Sequence, residues 1–160
     1  MLKYLIRYLI GVSLLIGVLA WWLGSTKTPK PTPKLLKQLT VGSVEIQVEV
    51  VDTPESIALG LSGRQSLPSK HGMLFVFERA GHYPFWMKEM HFPIDIVWIG
   101  SDWRVVEISS KIDPSTFPQR FAPQQPSQYV LEVNTGFMET HQLEVGDLVK
   151  LDERKAVPFP

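Results

Sequence analysis

Val44-Glu45-Ile46-Gln47-Val48-Glu49-Val50-Val51 alternates apolar and polar residues with a period of two. Val44, Ile46, Val48 and Val50 line one face and Glu45, Gln47 and Glu49 the other, the pattern of a half-buried strand. A Gly42-Ser43 turn leads into it. Asp52-Thr53-Pro54-Glu55 then supplies a capping oxygen followed by proline at the first helical position. A short helix is therefore predicted near Pro54–Leu61, broken by Gly60 and Gly63. Further strands are predicted at Met73–Phe77, Tyr83–Lys88, Ile94–Ile99, Val105–Ser109, Tyr129–Asn134 and Leu148–Leu151, with a second helical stretch near Gly136–Leu143. Many short strands and little helix predict a mainly β, compact antiparallel domain, barrel-like or sandwich-like. Ser110–Ser127 holds four prolines and no periodicity. It reads as a surface loop long enough to carry function.

The zero net charge of the 160-residue chain conceals an asymmetry. The first forty residues carry six Lys/Arg and no acid; the rest carry ten Lys/Arg against sixteen Asp/Glu. Tyr8–Leu23 is uncharged and closed by Trp21 and Trp22. As a helix it would span roughly 24 Å at about 1.5 Å per residue, extended by Leu5 and Ile6 toward a hydrocarbon thickness of about 30 Å. Lys3 and Arg7 suit one interface and the paired tryptophans the other. Residues 1–24 are thus expected to be an N-terminal transmembrane helix, a signal-anchor in the cytoplasmic membrane, with cleavage after Val18-Leu19-Ala20 and secretion as the alternative. Residues 25–38 form a Lys/Pro-rich stem, extended by its closely spaced prolines. The globular domain is expected over 39–153, outside the cytoplasm, and a tail over 154–160. The four lysines after the apolar run (Lys27, Lys30, Lys34, Lys37) oppose that orientation on a literal positive-inside count, whereas the seven-residue basic start before an apolar core is how a signal-anchor begins. The absence of cysteine excludes disulfides, thiolate chemistry and a lipid-bearing cysteine.

Two acids break the domain's own patterning. Asp95 lies in Phe92-Pro-Ile-Asp-Ile-Val-Trp-Ile99, apolar on both faces, so its carboxyl is buried or sits at a strand's mouth and needs a partner. A hairpin of Tyr83–Lys88 with Ile94–Ile99 would set Lys88 opposite it, with Trp86 on the same face. Glu132 shares a strand face with Val130 and Asn134, either wet or a second acid near Asp95. Arg64, after Gly60-Leu-Ser-Gly63, is placed to reach an acid or an anionic ligand. Arg64, Trp86, Lys88, Asp95 and Glu132 are the candidate ligand-binding residues. The four histidines show no ligand spacing, so no metal and no cofactor is expected. No nucleophile elbow or phosphate loop occurs, and no catalytic residue is assigned. The acidic balance of the domain opposes nucleic-acid binding.

These residues also carry a resemblance. Gly60-Leu-x-x-Arg64, Gly72-Met-Leu-Phe-x-Phe77, Phe85-Trp-Met-Lys88, Pro93-x-Asp95, Leu131-Glu-x-x-x-Gly136 and Gly146-Asp147 resemble, in order, the domain-of-unknown-function family 192. The similarity runs from about Val44 to Leu151. It departs at Ser62-Gly63, where the family tends to a bulky apolar residue, and has Pro-Ile-Asp where many members have Pro-Leu-Asp. The resemblance implies a small, mainly β domain behind a signal sequence or anchor, and no reaction. The expected function is a membrane-tethered extracytoplasmic module that binds a small polar ligand, glycan or peptide without catalysis. The alternatives are a structural or protein-partner accessory domain and, behind it, a hydrolase using Asp95 and Glu132 as a carboxylate pair.

Overall fold

A computed structural model describes residues 35–158. In chain order these form β1 (Leu35–Val41), β2 (Val44–Val51), α1 (Pro54–Leu59), β3 (His71–Gly81), β4 (Phe85–Trp86), β5 (Ile94–Ile99), β6 (Val105–Ile112), a 3-10 turn (Pro114–Thr116), β7 (Arg120–Phe121), β8 (Ser127–Asn134), α2 (Phe137–Thr140) and β9 (Val149–Pro158). Seven strands make one sheet in the order β6-β5-β8-β3-β2-β1-β9, and β4 pairs with β7 in a separate ribbon. The chain is mainly β with two short helices among the described residues, as expected.

The expectation of an antiparallel, barrel-like or sandwich-like domain is corrected in two respects. β2 and β3 run parallel, Gln47 opposite His71 through Val51 opposite Phe75. The crossover between them is α1 and the turn after it. The sheet stays open. Among the described residues its edge strands meet only at an isolated bridge between Arg104 and Leu148 and the neighbouring turn bonds, such as Gly146 N–H to the Val105 carbonyl at 2.8 Å. The Gly146-Asp147 motif makes that junction.

Both faces of the sheet are covered, which explains why every residue of β5 is buried. Val48, Leu74, Val97, Leu131 and Val133 pack on one face with Phe137, Met138 and Leu143. Val51, Met73, Phe75, Ile96, Trp98 and Val130 pack on the other with Leu61, Leu67 and Met87. Each such side chain contributes about 1.5–3 kcal/mol on full burial. This double coverage overturns one detail of the β2 pattern: Glu49, on the nominally wet face, is 3% exposed.

The strand pairing extends to Leu35 and Pro158, outside the 39–153 expected for the globular part. Most of the expected stem and all of the expected membrane helix over 1–24 lie outside the described residues. Among the described residues no helix is long and apolar enough to cross a membrane.

Candidate functional site

The helix α1 starts where the sequence requires. Thr53 caps it, its hydroxyl oxygen accepting from the Ser56 N–H at 3.2 Å, while the Thr53 N–H donates to the Ser56 hydroxyl at 3.1 Å. Gly60 ends it and Gly63, at φ 75°, turns the chain back in a conformation that disfavours side chains. The Ser62-Gly63 departure is put to use here. The Ser62 hydroxyl donates to the Lys88 carbonyl at 2.9 Å and the Gly63 N–H to the Glu89 carbonyl at 2.8 Å. The loop so strapped delivers Arg64 to Glu49. Its two terminal nitrogens donate to the two Glu49 carboxyl oxygens at 2.5 and 2.7 Å, a forked ion pair. Bonding to Glu49 raises the Arg64 pKa above its ordinary value, against the opposing effect of burial.

The expected Lys88–Asp95 pair does not form. The hairpin it needed is absent, because β5 lies between β6 and β8 while β4 pairs with β7. Lys88 is exposed, its ammonium nitrogen 3.8 Å from a Glu89 oxygen. Asp95 is sealed, with no exposed surface. One of its carboxyl oxygens accepts from the backbone N–H of Lys111 at 2.9 Å and of Gly136 at 3.1 Å, and the other from Met138 at 3.1 Å. Asp95 therefore ties β5 to the end of β6 and to the turn that starts α2. It is a staple closed off from solvent.

The carboxylate-pair hydrolase is also excluded by geometry. Asp95 stands opposite Val133, and Glu132 opposite Ile96. Cross-strand partners share a face and sequence neighbours alternate, so the two acids project from opposite faces of the sheet. No shared substrate can lie between them.

Glu132 instead lines a cleft of about 360 Å³ on its own face. The wall on one side is α1 and its following turn, from Ile57 to Ser62; on the other it is Phe75, Phe77, Tyr83, Phe85, Trp86 and Met90. The aromatic wall is fixed by its own packing. Phe77 stacks on Tyr83 with centroids 3.7 Å apart, Phe85 meets Phe75 edge-on at 4.8 Å, and the Tyr83 hydroxyl donates to the Arg79 carbonyl at 2.8 Å. At the mouth Trp86 is 41% exposed. The Arg120 guanidinium lies over its ring, 5.1 Å from the centroid. That contact follows from the ribbon, in which Trp86 and Arg120 are direct partners. Phe117 tilts against the same indole at 5.7 Å.

Glu132 is 5% exposed, and its Oε2 is buried with no hydrogen-bond partner. Burial pushes its pKa from 4.5 up to about 8, only partly countered by the Arg64 charge. At neutral pH the group is thus mostly a carboxylic acid, able to donate as well as accept. Gly72 makes its placement possible: a Cβ there would lie 2.9 Å from the Glu132 carbonyl oxygen on the adjoining strand.

Of the five residues expected at a site, the structure brings Trp86 and Glu132 to one cleft and sets Arg64 behind it; Lys88 and Asp95 lie apart. Two residues were missed. Glu49 is concealed by its regular alternation. Arg120 comes from the proline-rich 110–127 segment, suspected of function as a whole, with nothing local to single it out. Among the described residues no cluster of three His, Asp or Glu is arranged to hold a metal.

With the motifs in place, comparison with known proteins gives the family. The sequence signature of DUF192, described as "Uncharacterized ACR", matches residues 37–151. The chain belongs to the DUF192 family. No curated protein matches it. Two solved structures share the fold of this DUF192 domain. One is a candidate transcription regulator from Sinorhizobium meliloti 1021, 26% identical, with a TM-score of 0.69 over 76% of this chain and 97% of that one. The other is a protein of unknown function from Novosphingobium aromaticivorans DSM 12444, 28% identical, with a TM-score of 0.68 over 72% of this chain and 84% of that one.

Proposed function

We propose that this DUF192 domain is a non-catalytic binding module for a small molecule, held in the cleft between α1 and the aromatic wall. The observation that carries this reading is the buried, unpartnered carboxyl oxygen of Glu132 at the cleft's lining. A desolvated polar atom without a partner costs about 1–3 kcal/mol, a cost a bound ligand removes. The remaining features suit that role. The cleft volume of about 360 Å³ falls in the range of small-molecule sites, and a mostly apolar wall with a few fixed polar groups is their usual composition. Glu49, on the same face, is engaged by Arg64 through two hydrogen bonds, which leaves Glu132 without a free acid or base beside it among the described residues and suits binding rather than turnover.

The sequence of residues 1–24 supports a tether in the cytoplasmic membrane with the domain outside the cytoplasm. A reporter fused after Pro160 that is active only in the cytoplasm would refute that placement.

A fragment screen on the full-length protein tests the binding reading, followed through the 13C-methyl signal of Met90, which lines the cleft. Hits should shift Met90 and leave Met138, in the opposite core, in place. Trp86→Ala and Glu132→Leu should lose at least tenfold in affinity with the fold retained, and Lys88→Ala should bind normally. Hits that ignore both cleft substitutions would refute the reading.

A further inference from the structure

The charges around the cleft are not symmetrical, and their arrangement bears on what can enter. Resting on the small-molecule reading above, we propose that the cleft selects an apolar-bodied monoanion, its carboxylate or similar group held by Arg120 at the mouth and a polar atom of its body hydrogen-bonded to Glu132.

By itself the cleft interior presents no open negative charge. The Arg64 charge is closed off by Glu49 through two hydrogen bonds, so neither member offers an open charge to a guest. Glu132, the remaining acid on this face, is held mostly neutral by burial, with Arg64 and Glu49 as the charged groups nearest it and Tyr83 and Arg120 along the cleft. A neutral carboxyl does not repel an anion, and its O–H can donate to one end of it.

The mouth is positive. Arg120 is exposed and has no carboxylate partner among the described residues. The cation–π contact with Trp86 restrains the guanidinium beside the cleft, and its N–H groups are of the kind that fork to a carboxylate. The aromatic rings beneath are largely committed to one another, Phe77 to Tyr83 and Phe85 to Phe75, so they present an apolar wall rather than an open cage for an ammonium group.

Three compounds that share one ring and differ in charge provide the test: indole-3-acetate, indole-3-acetamide and tryptamine. Each is titrated into the full-length protein, with affinity by calorimetry and location by the Met90 methyl signal. Indole-3-acetate should bind at least tenfold tighter than tryptamine at pH 7. Arg120→Gln should cancel its advantage over the acetamide while acetamide binding persists. Raising the pH from 7 to 9.5 should weaken acetate binding roughly tenfold, as Glu132 ionises, and much less in Glu132→Gln. Tryptamine binding tightest, with Met90 shifted, would overturn the inference and leave the small-molecule reading standing. No Met90 shift with any of the three would overturn both.

Discussion

Glu132 couples the stability of the fold to pH. Its folded pKa of about 8 lies above the ordinary 4.5, so the folded state holds a proton that the unfolded chain releases first. Stability is therefore unaffected below about pH 4.5, falls as the pH rises toward 8, and stays reduced above it. The loss is on the order of a few kcal/mol. Thermal melts of wild type between pH 5 and 9 should show this decline, and Glu132→Gln should flatten it. Asp95 behaves differently, since three backbone N–H groups depend on it. Asp95→Ala should cost on the order of 3 kcal/mol or more in chemical denaturation, because those donors remain buried. Asp95→Asn should cost less, its carbonyl oxygen still serving Lys111 and Gly136 while its amide faces the Met138 N–H. Neither change should alter ligand affinity in the protein that remains folded.

The turn after α1 and strand β2 act together through the Arg64–Glu49 fork. Arg64→Ala removes the forked ion pair from a buried carboxylate, at a cost of about 2 kcal/mol, discounted because the Arg64 side chain is 27% exposed. Arg64→Lys should recover part of it, keeping the charge and losing the fork; paired urea titrations rank the three proteins. At this scale the sequence is legible where a pattern is local. Period-two alternation places β2 at Val44–Val51, and an apolar run bounded by Pro93 and Gly100 places β5 at Ile94–Ile99. It fails where pairing is distant. Tyr83–Lys88 has strand composition, yet only Phe85 and Trp86 pair, and their partner is a two-residue strand more than thirty positions on. Leu35–Val41, beside the prolines and lysines of the stem, is a strand because β2 and β9 both bond to it. Glu49 and Glu132 were open to a solvent-facing reading because alternation alone does not say that both sheet faces are covered. The acid in the site was visible; the arginine that guards it was not.

On the scale of the whole molecule, β1 is an interior strand, and in the order β2-β1-β9 it is the strand that pairs β9 into the sheet. A chain beginning at Leu35 should keep a cooperative thermal transition. One beginning at Gly42 should lose it, because Leu36, Leu39 and Val41, all fully buried, leave with the strand. Circular dichroism melts of the two distinguish the outcomes, and equal melting temperatures would refute the role given to β1. The open sheet, with one parallel pair and a separate ribbon, departs from the expected antiparallel, barrel-like or sandwich-like domain at one crossover. The crossover through α1 sends β3 back alongside β2 instead of into a hairpin, and the aromatic wall fills the space that crossover creates.

Leu35 and Pro158 are antiparallel neighbours at the ends of β1 and β9, so the polypeptide enters and leaves the domain side by side. Such a geometry lets the domain be spliced into an exposed loop of an unrelated host with little stretching of the host's backbone.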